Sequence, residues 1–179
     1  QERVYDHSAL RTLSGTTSLQ CLRLVTYREE DGTIRFPFYM IKLLAAKNVT
    51  DNFSLGRSGN LIAYGDRTSG VLQAAVTASQ RGLGLDVVKR HPDTAISIDG
   101  FRVPYWKEAQ ALAVKAHETL KELTSIGWDI AITDDGPLLL EGNTRFDPPM
   151  YAPHLLTPQD WQRLFGARWR APLKHTPPG

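Results

Sequence analysis

The sequence predicts an α+β domain, an antiparallel β-sheet backed by helices. Two observations carry this. Strand-forming runs come in pairs joined by tight turns, which makes neighbouring strands antiparallel. A single long stretch then repeats its apolar residues at helical spacing.

The elements follow in chain order. "SLQCLRLVTYRE" (18–29) and "IRFPFYMIKLLAAK" (34–47) are rich in strand formers, and the Asp31–Gly32 pair between them is a short hairpin signal. "NLIAYG" and "GVLQAAV", separated by "DRTS", read as a second hairpin. The segment 77–102 is mixed, with "GLGLD" and "RHPDT" as loop markers. In "VPYWKEAQALAVKAHETLKELTSIG", Pro104 suits a first helical turn. Ala109, Leu112, Ala113, Ala116, Leu120 and Leu123 line one face until Gly127 stops the pattern. That predicts a helix of about five turns over 104–125. Two strands follow, "WDIAIT" and "PLLLEGNT", around "DDGP". A short helix at "TPQDWQRLF" and a Pro-rich tail end the chain.

The 179 residues, 41% apolar and 22% charged, are enough to bury a sizeable core. The net charge of +2 comes from scattered Lys and Arg, so nothing calls for a nucleic-acid partner or a membrane surface. The single cysteine, Cys21, excludes an internal disulfide and fits a reducing, cytoplasmic setting. Without an apolar run of about 18 residues, no membrane insertion is expected, and the sequons at Asn48 and Asn52 carry no weight. The chain opens on patterned sequence at Gln1 rather than Met and reads as a piece of something longer.

One stretch bears chemistry: "GWDIAITDDGPLLLEGNTRFD" (127–147). In a hairpin turned at Asp134–Gly136, Asp129 comes to face Glu141 and Asn143 across the ladder, while Leu138, Leu139 and Leu140 form the strand's buried body. Two carboxylates held about 5 Å apart among apolar residues repel unless a cation lies between them. Two carboxylates and an amide oxygen are a hard, oxygen-only set. That set suits Mg²⁺ or Mn²⁺ and leaves sites for water and phosphate.

On these residues the chain resembles the ATP-grasp superfamily, whose metal hairpin carries an Asp on one strand and Glu-x-Asn on the next. It looks most like the sugar-transfer-associated ATP-grasp group over residues 1–155, with 156–179 as a short helix and Pro-rich tail. The resemblance implies the C-terminal half of an ATP-grasp fold. The subdomain that normally precedes it supplies a phosphate-binding lysine and a glycine-rich lid, and neither is in this sequence.

The resemblance also implies roles. Gln1, Glu2 and Val4 ("QERV") resemble the hinge whose backbone pairs with adenine, and Leu140 the apolar floor beneath it. Arg23 in "LRLVTY" would lie over the γ-phosphate or acyl-phosphate. Asn52 in "TDNFSLG" would approach the phosphates, as would Lys42, where the family more often has arginine. The chain departs from the family at Gly56-Arg57, where paired glycines are usual. Ordinary alternatives stand beside each: a strand-rim arginine, a turn-capping Asn, an edge strand. His7 and His154 are candidate bases, although a single histidine is more often structural.

The implied function is ATP-dependent ligation of a small-molecule carboxylate to an amine through an acyl-phosphate, with ATP and Mg²⁺, in a cell-surface polysaccharide or sugar-linked pathway. A non-catalytic nucleotide-binding module and a divalent-metal hydrolase would show the same acidic hairpin.

Overall fold

A computed structural model describes residues 4–46, 48–50, 53–54, 57–79 and 84–166. The described strands form one antiparallel sheet in the order β6-β5-β4-β3-β1-β7-β8, with β2 paired to β1. The strands are β1 Cys21–Arg28, β2 Ile34–Arg35, β3 Tyr39–Leu43, β4 Leu61–Gly65, β5 Leu72–Ala78, β6 Leu85–Val88, β7 Ser125–Thr133 and β8 Gly136–Asn143. The helices are α1 Ser8–Ser14, α2 Trp106–Glu118 and α3 Pro158–Phe165. The expected hairpins form at 31–32, 66–70 and 134–135. Gly32, at φ +87, makes the first possible, and Thr33 N donates to Asp31 Oδ1 at 2.9 Å.

Alternation divides the sheet into two faces. On one, Leu22, Leu24, Ile41, Leu43, Leu61, Ile130 and Ile132 pack against Leu10 and Leu13 of α1 and Trp106, Ala109 and Ala113 of α2. On the other, Val25, Met40, Ile62, Tyr64 and Val76 are buried in a second, smaller cluster with Phe53, Ala152, Leu156 and Trp161, which covers only part of that face. The open remainder of this second face is where chemistry-bearing side chains gather.

Several expectations change. The 34–47 run is two strands, because Pro37 has no N–H to give a ladder. The pairing to β1 slips by one residue across it, from Tyr27↔Arg35 to Leu24↔Tyr39. The helix begins at Trp106, after Tyr105 turns through the left-handed region at φ +52, so Pro104 precedes it. It ends at Glu118 rather than near 125. His117 Nε2 donates to the Leu123 carbonyl at 2.9 Å and Arg28 N to Thr124 O at 2.8 Å, and these bonds draw the chain off into β7. Helix α1 forms where no element was expected, and edge strand β6 begins inside "GLGLD", a loop marker by sequence, because Leu85–Val88 finds a partner in β5. Leu138 and Leu140 are not buried: they are 44% and 40% exposed, because among the described residues β8 is the sheet's edge strand and no helix covers that face of it.

Candidate functional site

The pairing β1–β7–β8 puts three side chains in one row. Arg23 lies opposite Asp129, and Asp129 opposite Glu141. Asn143 shares the face of Glu141 two residues on, and its Nδ2 donates to Glu141 Oε1 at 3.0 Å. The Glu-x-Asn strand carries a bulge. Asp129 pairs with Glu141 but Ile130 pairs with Leu139, so Leu140 is the extra residue. Gly142 faces away from the row, and a Cβ there would come within 2.7 Å of the Trp128 ring, so the middle position of the triplet must be small.

Arg23 and Asp129, at 9% and 8% exposure, form a forked ion pair. Nε donates to Oδ1, and Nη2 to Oδ2 at 2.8 Å. Burial pulls the guanidinium's pKa down, but the Asp129 hydrogen bond and charge, with Asp147 and Glu141 behind them, outweigh it and leave it raised. Arg23 is therefore a fixed cation among three carboxylates. Two of its five N–H donors are committed to Asp129.

The other expected residues divide. Lys42 sits on β3 two residues from Met40, the cross-strand neighbour of Arg23, and so shares the row's face. One step along the strands on the same side of the row as Lys42, Ala131 lies between Cys21 and Leu138 as the cross-strand neighbour of each, and the three make an apolar end next to Leu140. Val4 is not in a strand. It precedes α1 and lines a cavity of about 550 Å³ with Pro137 and Leu138, at that apolar end. Gln1, Glu2 and Asn52 lie outside the described residues.

The two histidines are elsewhere. His7 caps α1, its Nδ1 accepting from Ala9 N at 3.0 Å, beside Asp134 at the hairpin's turn. His154 lines a separate cavity with Asp66 and Arg67. Neither reaches the row as a base. The sequence reading missed Asp147, the last residue of the stretch it singled out, whose charge acts on Arg23 and which lines a cavity with Lys42. It also missed the Arg23–Asp129 pair.

Among the described residues no three His, Cys, Asp or Glu side chains converge to cage a metal. A cation here would rest on Asp129, Glu141 and the Asn143 amide, leaving sites for water and phosphate. This donor set fits a hard divalent ion carried with a nucleotide. The Asp129 carboxylate can accept Arg23 and a cation together, having more lone pairs than Arg23 uses, and Glu141 has lone pairs beyond the one that accepts from Asn143.

The model of the sugar-transfer associated ATP-grasp family matches residues 1–156. The chain belongs to that family. No curated protein and no solved structure matches it. Membership in the sugar-transfer associated ATP-grasp family gives the α+β fold class its frame, with an antiparallel sheet backed by helices, and places the chain in an ATP-binding, ATP-grasp enzyme class linked to sugar transfer. No described helix is long and apolar enough to cross a membrane.

Proposed function

We propose that this chain is an ATP-dependent carboxylate–amine ligase that works through an acyl-phosphate in cell-surface polysaccharide or sugar-linked biosynthesis. Residues 1–155 would be its ATP-grasp subdomain and 156–179 an appended helix and tail. The observation that carries the reading is the row Arg23–Asp129–Glu141 across three strands, with Asn143 beside it.

In this reading Asp129, Glu141 and Asn143 would hold Mg²⁺ or Mn²⁺, whose charge would offset that of the ATP β- and γ-phosphates. The exposed apolar end at Leu138 and Leu140, with Val4 nearby, receives adenine; Gln1, Glu2 and Asn52 keep their expected roles at hinge and phosphates. Arg23, fixed by Asp129 before any substrate arrives, directs its remaining N–H donors at the transferring phosphoryl group and the acyl-phosphate. A charge already in position costs no reorganisation when the reaction occurs. Lys42 supplies a second cation on the same face. Small-molecule acid and amine are the partners, and the setting is cytoplasmic.

Glu141→Gln tests the reading, because it removes charge and keeps shape at an exposed position. Magnesium-dependent ATP binding and ATP turnover should fall by ~10²-fold or more, with the circular-dichroism melt unchanged. A variant that binds magnesium-ATP as tightly as the parent shows that the metal hairpin is misassigned.

A further inference from the structure

A cavity of about 480 Å³ opens beside the charged row, between β3, β4 and the segment that follows β8. Met40, Ile62 and Tyr64 make its floor. Phe53 and Tyr151 close over it, with ring centroids 5.5 Å apart in edge contact. Its size is that of a small-molecule site.

Two charged groups stand on its wall, Lys42 and Asp147. Among the described residues neither forms a hydrogen bond or an ion pair, and they do not bridge to each other. A ligand with one charge would answer one of them and leave the other facing an apolar body. A ligand with an ammonium, a carboxylate and an apolar portion answers both and covers the aromatic walls. Asp147 is also one of the carboxylates whose charge acts on Arg23, so a group held by Asp147 lies next to the row.

We propose that this cavity binds a free α-amino acid with an apolar or aromatic side chain, its carboxylate on Lys42 and its ammonium on Asp147. Its role as acceptor amine rests on the ligase reading above. The ammonium gives one proton to Asp147, the neutral nitrogen attacks the acyl carbon, and the nitrogen's second proton passes to the departing phosphate. The C–N bond forms as the C–O bond to phosphate breaks, and phosphate leaves with that electron pair.

Binding is tested without nucleotide, by calorimetric titration of the full chain with D- and L-phenylalanine, phenethylamine and 3-phenylpropionate. One phenylalanine enantiomer should bind, and each analogue lacking a charge should bind at least about tenfold more weakly, the size of one lost hydrogen bond to a charged group. Lys42→Met should abolish the discrimination against phenethylamine, and Asp147→Asn that against 3-phenylpropionate. The inference is overturned if neither enantiomer binds, if an analogue binds as well as phenylalanine, or if the variants leave both discriminations intact. Because no nucleotide is present, these results stand apart from the Glu141→Gln experiment: failure here sinks the amino-acid site alone, and failure there leaves this binding untouched.

Discussion

Asp129, Glu141 and Asn143 could be read as neighbours from the hairpin's spacing, because polar groups on strand-like runs ask for a partner, while Arg23 entered as a candidate only through the family resemblance. What could not be read is that Arg23 and Asp129 are each other's partners, since β1 and β7 meet only through long-range pairing. The pair changes what a substitution at Arg23 does. Arg23→Ala leaves the Asp129 carboxylate buried without its cation, which costs about 3–5 kcal/mol. Asp129→Asn in the same chain should recover part of that loss by removing the stranded charge. Catalysis has a separate expectation. Turnover per folded molecule falls by ~10²-fold or more with ATP affinity little changed, and Arg23→Lys rescues only part, lacking the planar fork. Urea midpoints and initial rates on the same samples separate the two effects. If stability falls but the rate per folded molecule does not, Arg23 serves Asp129 alone.

The hairpins were legible because their turn chemistry is local. Pro37 was visible too, but that it would divide one strand into two depends on β1 needing an N–H there. The end of α2 was hidden for a similar reason. Apolar spacing continues to Leu123, yet the helix stops where His117 becomes a linker between elements. Its ring is buried, with Nδ1 2.8 Å from Thr26 Oγ1 and Nε2 2.9 Å from Leu123 O, while Trp128 Nε1 donates to the same Thr26 oxygen. Burial lowers the His117 pKa, and the Arg28 charge adds to that against the Leu123 hydrogen bond. Burial lowers His91 as well, against its bond to Leu44 O and the Asp93 charge. In the unfolded chain each titrates near 6.5. Below that pH the unfolded state takes up protons that the folded state resists, so stability is fully present above about 6.5 and declines as pH falls toward the lowered values. The carboxylates with lowered values, such as Asp160, start from 3.8 and so contribute in a separate, more acidic window. Urea midpoints should therefore drop from pH 7 to pH 5, and His117→Gln should remove its share of that slope. A slope unchanged in the variant would assign the pH dependence to other groups.

Across the whole molecule, hairpin pairs could be read from the chain, but the order in which they join could not. The placement of β1 between β3 and β7 turns an acidic hairpin, an arginine strand and a lysine strand into one surface. On that surface the Arg23–Asp129–Glu141 row is flanked by an apolar end at Leu138 and Ala131 toward the β8 edge, and the cavity with Lys42 and Asp147 opens toward β3 and β4. The expectation that Leu138 and Leu140 are core fails, and its failure is informative. A leucine that is 40% exposed on an uncovered edge contributes little to folding, but it can contribute to a ligand laid over it. If adenine lies there, Leu140→Ser should weaken magnesium-ATP binding about five- to tenfold, corresponding to roughly 1 kcal/mol of partly buried apolar contact. The thermal midpoint should hardly move. Leu138→Ser, further along the same face, should act in the same direction. Val87→Ser is the control, since Val87 is 70% exposed on β6 at the opposite edge of the sheet and should change neither quantity. Equal ATP affinity in all three variants would take the nucleotide off this end of the sheet, and a large loss of stability in Leu140→Ser would return Leu140 to the core.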